Sequence, residues 1–308
     1  MSVRLIQFSD IHVGSPYSFR YQPAWSENFF NAMEQVKEFD VQPEVIVITG
    51  DLTRDGETHP FELRQIKEIL EKYPYQFYCI PGNHDSGGRY DISSHARVSS
   101  TKIERFRKVF GDDKFQASVG NCRIIGFNSF ILGSGLPEEP ELWAWLEEKA
   151  KEKNDQWSRQ IWFMHNLAYN KHPFENEIIT KEENRKLWYH LLELKAQHRL
   201  MQLISNNDID IIANGHTHNY IDRTVDGIHH VTCPSTAFHP ALPATSPLGY
   251  MIYDIDDDGI KVELKQLSNI SEKPGYGIGG NILYDERDYS LAQKVSPETT
   301  IEIKAQLS

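Results

Sequence analysis

The chain has 308 residues, 39% of them hydrophobic, and carries 44 acidic against 32 basic side chains for a formal net charge of −12. That size and apolar content bury a substantial core in one large domain or one domain with an appendage. An acidic chain without a basic stripe is a poor match for a long nucleic-acid polymer, and no apolar run is long enough for a membrane span.

In chain order, the apolar run at residues 3–8 predicts a first strand that leads into Asp10-Ile11-His12. An amphipathic helix over 24–39 is followed by a second run, 44–48, that leads into Gly50-Asp51. A helix over 60–72 precedes the run 76–80, which leads into Gly82-Asn83-His84-Asp85. Helical patterns over 102–110 and 138–153 precede a fourth run, 161–164, that ends at His165. The first half is therefore βαβ-like. A helix-like segment over 181–205 follows, with Leu187, Leu191, Leu194 and Leu203 as a core-facing stripe, or alternatively a cap or dimer surface. A fifth run, 209–213, leads into Gly215-His216-Thr217-His218. Short strand candidates close the series at 220–223, 228–231, 249–253 and 261–267, with Asp226-Gly227 and Asp258-Gly259 as hairpin turns. His229 and His230 face opposite sides of one of these strands and are not read as ligands.

Strand ends thus deliver Asp10, His12, Asp51, Asn83, His165, His216 and His218 to the carboxyl edge, where open α/β sheets place their sites. A spacing of two puts Asp10 with His12, and His216 with His218, on the same side of an extended backbone. Gly50, Gly82 and Gly215 suit tight turns at these ends. Oxygen and imidazole donors without cysteine favour Mn, Fe, Co, Ni or Zn. Alone, an Asp-x-His or His-x-His step reads as a solvated turn. Five such ends in one order read as a two-metal phosphoesterase site, in which divalent ions about 3.5–4 Å apart activate a nucleophile and clamp a phosphate.

The ordered series D-x-H, G-D, G-N-H-D, H and G-H-x-H resembles the calcineurin-like metallophosphoesterase superfamily over about residues 1–267. Residues 50–56 and 81–85 are most similar to class III cyclic-nucleotide phosphodiesterases and their small bacterial relatives. The resemblance implies an α/β (α+β) fold of two mixed β-sheets packed as a sandwich and flanked by helices. It implies two divalent ions per chain, one on Asp10, His12 and His218, the other on Asn83, His165 and His216, with Asp51 bridging them. A hydroxide shared by the ions would attack phosphorus in line. His84 is then the catalytic residue outside the ligand set, stabilising a phosphate oxygen or protonating the leaving alkoxide. Asp85 either orients His84 or is an exposed turn carboxylate.

After His165, where many relatives carry another His or a Pro, this chain has Asn166, which directs attention to the substrate pocket. His95 and His239 lie in loops and are further candidates for substrate contact, or else exposed histidines. The function expected is hydrolysis of a small phosphodiester such as a cyclic nucleotide. A phosphomonoesterase is the enzymatic alternative, and a non-catalytic metal-binding scaffold is the rival of another class. The expected partners are a small phosphate ester and, as a candidate assembly, a second copy of the chain.

Cys79, Cys122 and Cys233 are few, odd in number and widely spaced, as expected of reduced thiols in a cytoplasm. Met1-Ser2 leads directly into a strand with no signal segment between. From Ser268 the chain turns polar and Gly-rich, so 268–308 is expected to be an appendage on the domain or on a second subunit. Residues 275–280 formally fit G-x-G-x-x-G but open no helix in a βαβ unit, and they read as a flexible linker.

Overall fold

Strands buried on both faces are mostly apolar on both, and β1 (Val3–Phe8) and β2 (Val45–Thr49) send alternate apolar side chains into different cores, with Gln7 and Thr49 as buried polar exceptions. The computed structural model describes residues 2–14, 21–90, 93–175, 178–240 and 246–273. After β1 and β2 come β3 (Gln76–Ile80), β4 (Lys114–Val119), β5 (Cys122–Phe127), β6 (Arg159–Phe163) and β7 (Ile211–Asn214). The last four strands are β8 (Ile221–Val225), β9 (Ile228–Thr232), β10 (Gly249–Ile255) and β11 (Ile260–Gln266). They form two mixed sheets, one in the order β11-β10-β1-β2-β3 and the other β4-β5-β6-β7-β9-β8. β1, β2 and β3 run parallel, with Leu5 beside Val45, and so do β5, β6, β7 and β9. Antiparallel strands close the edges.

The sheets pack face to face. Leu5, Val47, Phe163, Ala213 and Tyr253 meet between them. Ile6, Phe8, Ile46 and Ile48 face the other way, under Phe29 and Met33 of α1 (Pro23–Lys37) and Leu63 and Ile66 of α2 (Phe61–Leu70). After the single-turn α3 (Asn83–Ser86), α4 (Ser100–Phe110) adds Phe106 to the same layer. On the opposite outer surface, Trp162 and Ile212 lie under Trp143 and Leu146 of α5 (Glu138–Lys151). Each large apolar side chain so buried contributes about 1.5–3 kcal/mol. The expected sandwich with flanking helices is the observed one.

Two elements depart from expectation. The hairpin β4–β5 turns at Gly120, φ +55°, and has no counterpart among the predicted strands. The segment 181–205 is two helices, α6 (Lys181–His190), which kinks at Asn184 (φ −152°), and α7 (Leu194–Ser205). They part because Leu191 pairs with Leu167 in an isolated bridge and the Glu193 carboxylate caps α7 through Lys195 N–H and Ala196 N–H. The buried stripe is consequently Ala196, Leu200, Met201 and Ile204, with Leu191 buried at the break, while Leu187 and Leu194 remain partly exposed.

Beyond β11 the chain returns along α1, where Ser268 N–H donates to Gln35 and Ser271 N–H to Asn28. The rest of the expected appendage, 274–308, including the motif at 275–280, lies outside the described residues. Among the described residues no helix is long and apolar enough to cross a membrane, and all three cysteines are free thiols. Burial pushes the Cys122 thiol up to about 12.

Candidate metal centre

Just below the carboxyl edge, Gln7 ties the two sheets together. Its amide donates to Thr49 Oγ1 (2.9 Å) and to the Asn214 carbonyl (3.1 Å), and its carbonyl accepts from the Tyr253 hydroxyl (2.6 Å). The loops that leave β1, β2, β6 and β7 therefore start at a common height. Asp10 N–H donates to the Gly50 carbonyl, His12 N–H to Asp51, and Gly215 N–H to His165.

The side-chain positions come from left-handed backbone, which corrects the expectation of an extended strand. Asp10, His12, Asp51, His216 and His218 have φ of +52°, +42°, +50°, +68° and +58°. All five lie beyond their strands. Such conformations cost on the order of 1–3 kcal/mol each unless surrounding contacts impose them, and they concentrate at functional sites. Here Asp10 Oδ2 accepts from Ser9 Oγ (2.6 Å) and from His216 N–H (2.9 Å), so a loop of one sheet holds a loop of the other. That contact needs Gly215, because a Cβ there would lie 1.7 Å from Ser9 Oγ. A Cβ on Gly82 would likewise lie 2.2 Å from Asp51 Oδ1.

Asp10, His12 and His218 bring ligand atoms within 4.8 Å of one another, as do Asp51, His165 and His216, and as do His12, Asp51 and His84. His218 Nε2 is 3.3 Å from Asp10 Oδ1 and 3.4 Å from His12 Nε2. On the other side, His165 Nε2 is 3.5 Å from Asp51 Oδ1 and 3.3 Å from Asn83 Oδ1. These spacings are close to the roughly 3–3.5 Å between neighbouring N and O atoms placed about 2.1 Å from one ion. His165 Nδ1 is bonded to the Thr49 carbonyl (2.6 Å) and His218 Nδ1 to the Phe238 carbonyl (3.0 Å), which leaves both Nε2 atoms facing the centre. Asp10 Oδ1 and His216 Nε2 are buried without a hydrogen-bond partner. Buried polar atoms of this kind cost about 1–3 kcal/mol each, so the donor set fits divalent cations.

Electrostatics agree with such a set at two of the histidines. Burial and the neighbouring imidazoles hold His12 and His216 well below the ordinary histidine value, keeping their lone pairs free. Burial opposes charge on His165 as well, but Asp51 and Asp10 outweigh it and raise the group to about 9. Asp51 is held well below the usual carboxylate range by His165 and His84 despite its burial.

His84 sits at the mouth. Its N–H donates to Asp51 Oδ1 (2.8 Å), and its Nε2 lies 4.0 Å from Asp51 Oδ2. The ring is oriented by the Arg54 carbonyl, 2.8 Å from Nδ1. Neither reading of Asp85 holds: it is buried, and its carboxylate accepts from Leu52 N–H, Thr53 N–H, Thr53 Oγ1 and Gly82 N–H at 2.8–3.1 Å. It clasps the loop after β2 to the loop after β3.

Asn166 is buried beside His165, with its Oδ1 accepting from Ser129 Oγ (2.5 Å), and it lines a cavity of about 190 Å³. His239 is committed to the Ser246 carbonyl (2.8 Å), next to Phe238, whose ring packs on His12 and His218. His95 is exposed before α4, and its carbonyl accepts from Lys102. His230 is buried against Asn214 (2.7 Å), while His229 pairs with Asp222 across the strand pair. The sequence reading missed Tyr189 and His190, whose rings lie 5.0 and 4.5 Å from that of His216. No motif or spacing marks them, since α6 reaches the centre only through the fold.

A curated relative, a probable glycerophosphodiester phosphodiesterase of Arcobacter nitrofigilis, is 29% identical over 150 residues, covering 45% of this chain and 49% of that protein. A probable cyclic nucleotide phosphodiesterase of Vesicomyosocius okutanii is 24% identical over 263 residues, covering 84% and 96%. The chain thus spans about half the length of the first relative and nearly all of the second. Among solved structures, the purple acid phosphatase PPD1 of yellow lupin superposes with a TM-score of 0.62 at 13% identity, over 89% of this chain and 53% of that one. That likeness concerns the fold alone. The family model for calcineurin-like phosphoesterases matches residues 3–220, which hold all the strand ends described above and more than half of the chain, and this protein belongs to that family.

Proposed function

We propose that the chain is a dinuclear metal-dependent phosphodiesterase of a small phosphodiester such as a cyclic nucleotide, with its catalytic domain within residues 1–267. The observation that carries this reading is the shared carboxylate: Asp51 turns Oδ2 towards His12 (3.7 Å) and Oδ1 towards His165 (3.5 Å). Asp10, His12 and His218 would hold one divalent ion and Asn83, His165 and His216 the other, with Asp51 common to both. Mn, Fe, Zn, Co and Ni suit these donors. Bound there, the ions supply an activated water and a clamp for the phosphate anion.

The chain's own residues supply the rest. Asp51 stays ionised between His165 and His84. His84, with Nδ1 held by Arg54 (2.8 Å from its carbonyl and 3.2 Å from its Nη1), presents Nε2 at the mouth. Protonated at Nε2, it donates to a phosphoryl oxygen or to the leaving alkoxide. The phosphodiester preference is supported by the two curated relatives, both named as probable phosphodiesterases. A cytoplasmic location is in keeping with three free thiols.

The test is hydrolysis of bis-p-nitrophenyl phosphate against p-nitrophenyl phosphate by chelator-stripped protein reloaded with Mn²⁺. The expected result is a clear diester preference. A monoester preference would transfer the assignment to phosphomonoesterase, and no turnover of either ester would favour a scaffold.

A further inference from the structure

α6 and the loop after α3 build a cleft beside the metal centre. Tyr90, Lys181, Arg185, Trp188 and Tyr189 line it, and its volume is about 350 Å³. Its inner wall is continuous with the centre, because the ring of Tyr189 lies 5.0 Å from that of His216 and 5.1 Å from that of Tyr90. Gly88 permits the approach: a Cβ there would lie 2.8 Å from Asn83 Cβ, 3.4 Å from Tyr90 and 3.5 Å from Tyr189. The cleft is also braced. Arg89 lies against the Trp188 ring at 4.5 Å and donates to the carbonyls of Trp188, Leu191 and Leu192 at 2.9, 3.0 and 3.2 Å. The end of α6 is thereby tied to the segment that carries Asn83.

The lining has a chemical meaning. Three aromatic rings in one cleft offer π-faces, and Lys181 and Arg185 line it with them, the Lys181 ammonium lying 5.9 Å from the Trp188 ring centroid. An aliphatic alcohol group has no flat surface to match such rings, whereas a nucleobase has two. The volume falls within the range of about 300–1,000 Å³ of small-molecule sites. We infer that this cleft is a nucleobase subsite, in which the base of a bound nucleotide stacks against Trp188, Tyr90 and Tyr189 while its phosphate lies at the metal centre. The placement of the phosphate rests on the proposed function; the stacking of the base does not.

The test compares adenosine 5′-monophosphate with ribose 5-phosphate, which share sugar and phosphate and differ by the base, in calorimetric titrations of the Mn²⁺-loaded protein. The nucleotide is expected to bind about 10-fold more tightly, the difference shrinking to about twofold or less in Trp188→Leu and returning in Trp188→Phe, which keeps a π-face. Equal affinities in the unaltered protein, or a difference that survives Trp188→Leu, would overturn the subsite. Both ligands are titrated on the same variant, so a folding defect shows as loss of ribose 5-phosphate binding; Tyr90→Leu then gives the same comparison. Because the readout is binding of monoesters, failure to hydrolyse any diester would defeat the phosphodiesterase reading and leave this result standing.

Discussion

Asp51 illustrates how much one residue here depends on its backbone. It adopts φ +50°, accepts His84 N–H, and faces a histidine with each carboxylate oxygen. Replacing it by Asn removes the charge between the two clusters, so Asp51→Asn is expected to lose metal from two ions per chain, read by elemental analysis; retention of both would contradict the shared role. His84→Ala is expected to keep the metals and slow turnover by about 10²–10⁴. Unchanged turnover would remove His84 from the mechanism. The motif around His84 was legible in the sequence, but its orienting partner was not. A backbone carbonyl such as that of Arg54 has no sequence signature, and the neighbouring Asp85 proved to be a clasp between two loops.

Among the elements, the informative ones are the loops that cross from sheet to sheet. Gly215 follows β7 of one sheet and packs against Ser9, which follows β1 of the other. In Gly215→Ala the new Cβ would lie 1.7 Å from Ser9 Oγ and 2.6 Å from Asp10 Oδ2. Forced displacement of this kind costs about 1–3 kcal/mol. A lower urea midpoint together with reduced metal content is expected; wild-type values for both would show that the two loops yield independently. The strands that end in candidate ligands were legible because apolar runs of both cores are local signals, whereas the hairpin β4–β5 was not. The break between α6 and α7 was not, since it depends on Leu191 pairing with Leu167.

Across the whole molecule, burial sets a pH dependence away from the metal centre. His230 lies buried on β9, bonded to Asn214 Oδ1, and burial, with Arg223 and His229 nearby, lowers its value to about 3. The unfolded chain takes up that proton near pH 6.5, so between about pH 6.5 and 3 the unfolded state binds more protons. Its stabilising contribution is therefore present above about 6.5 and is lost as pH falls through this window, by about 1 kcal/mol at pH 5.5. His230→Gln is expected to flatten the fall of the urea midpoint between pH 7.5 and 5.5. An unaltered slope would place the acid sensitivity elsewhere. By itself, the sequence determined the elements that carry the ligands and the residue types at their ends, because periodicity and motif are short-range properties of a chain. The tertiary structure alone decided the left-handed turns at Asp10, His12, Asp51, His216 and His218, the carbonyls that aim His84 and His165, and the aromatic wall from α6. Each of these rests on contacts between residues far apart in sequence, Ser9 against Gly215 among them, and such contacts exist only once the two sheets have packed.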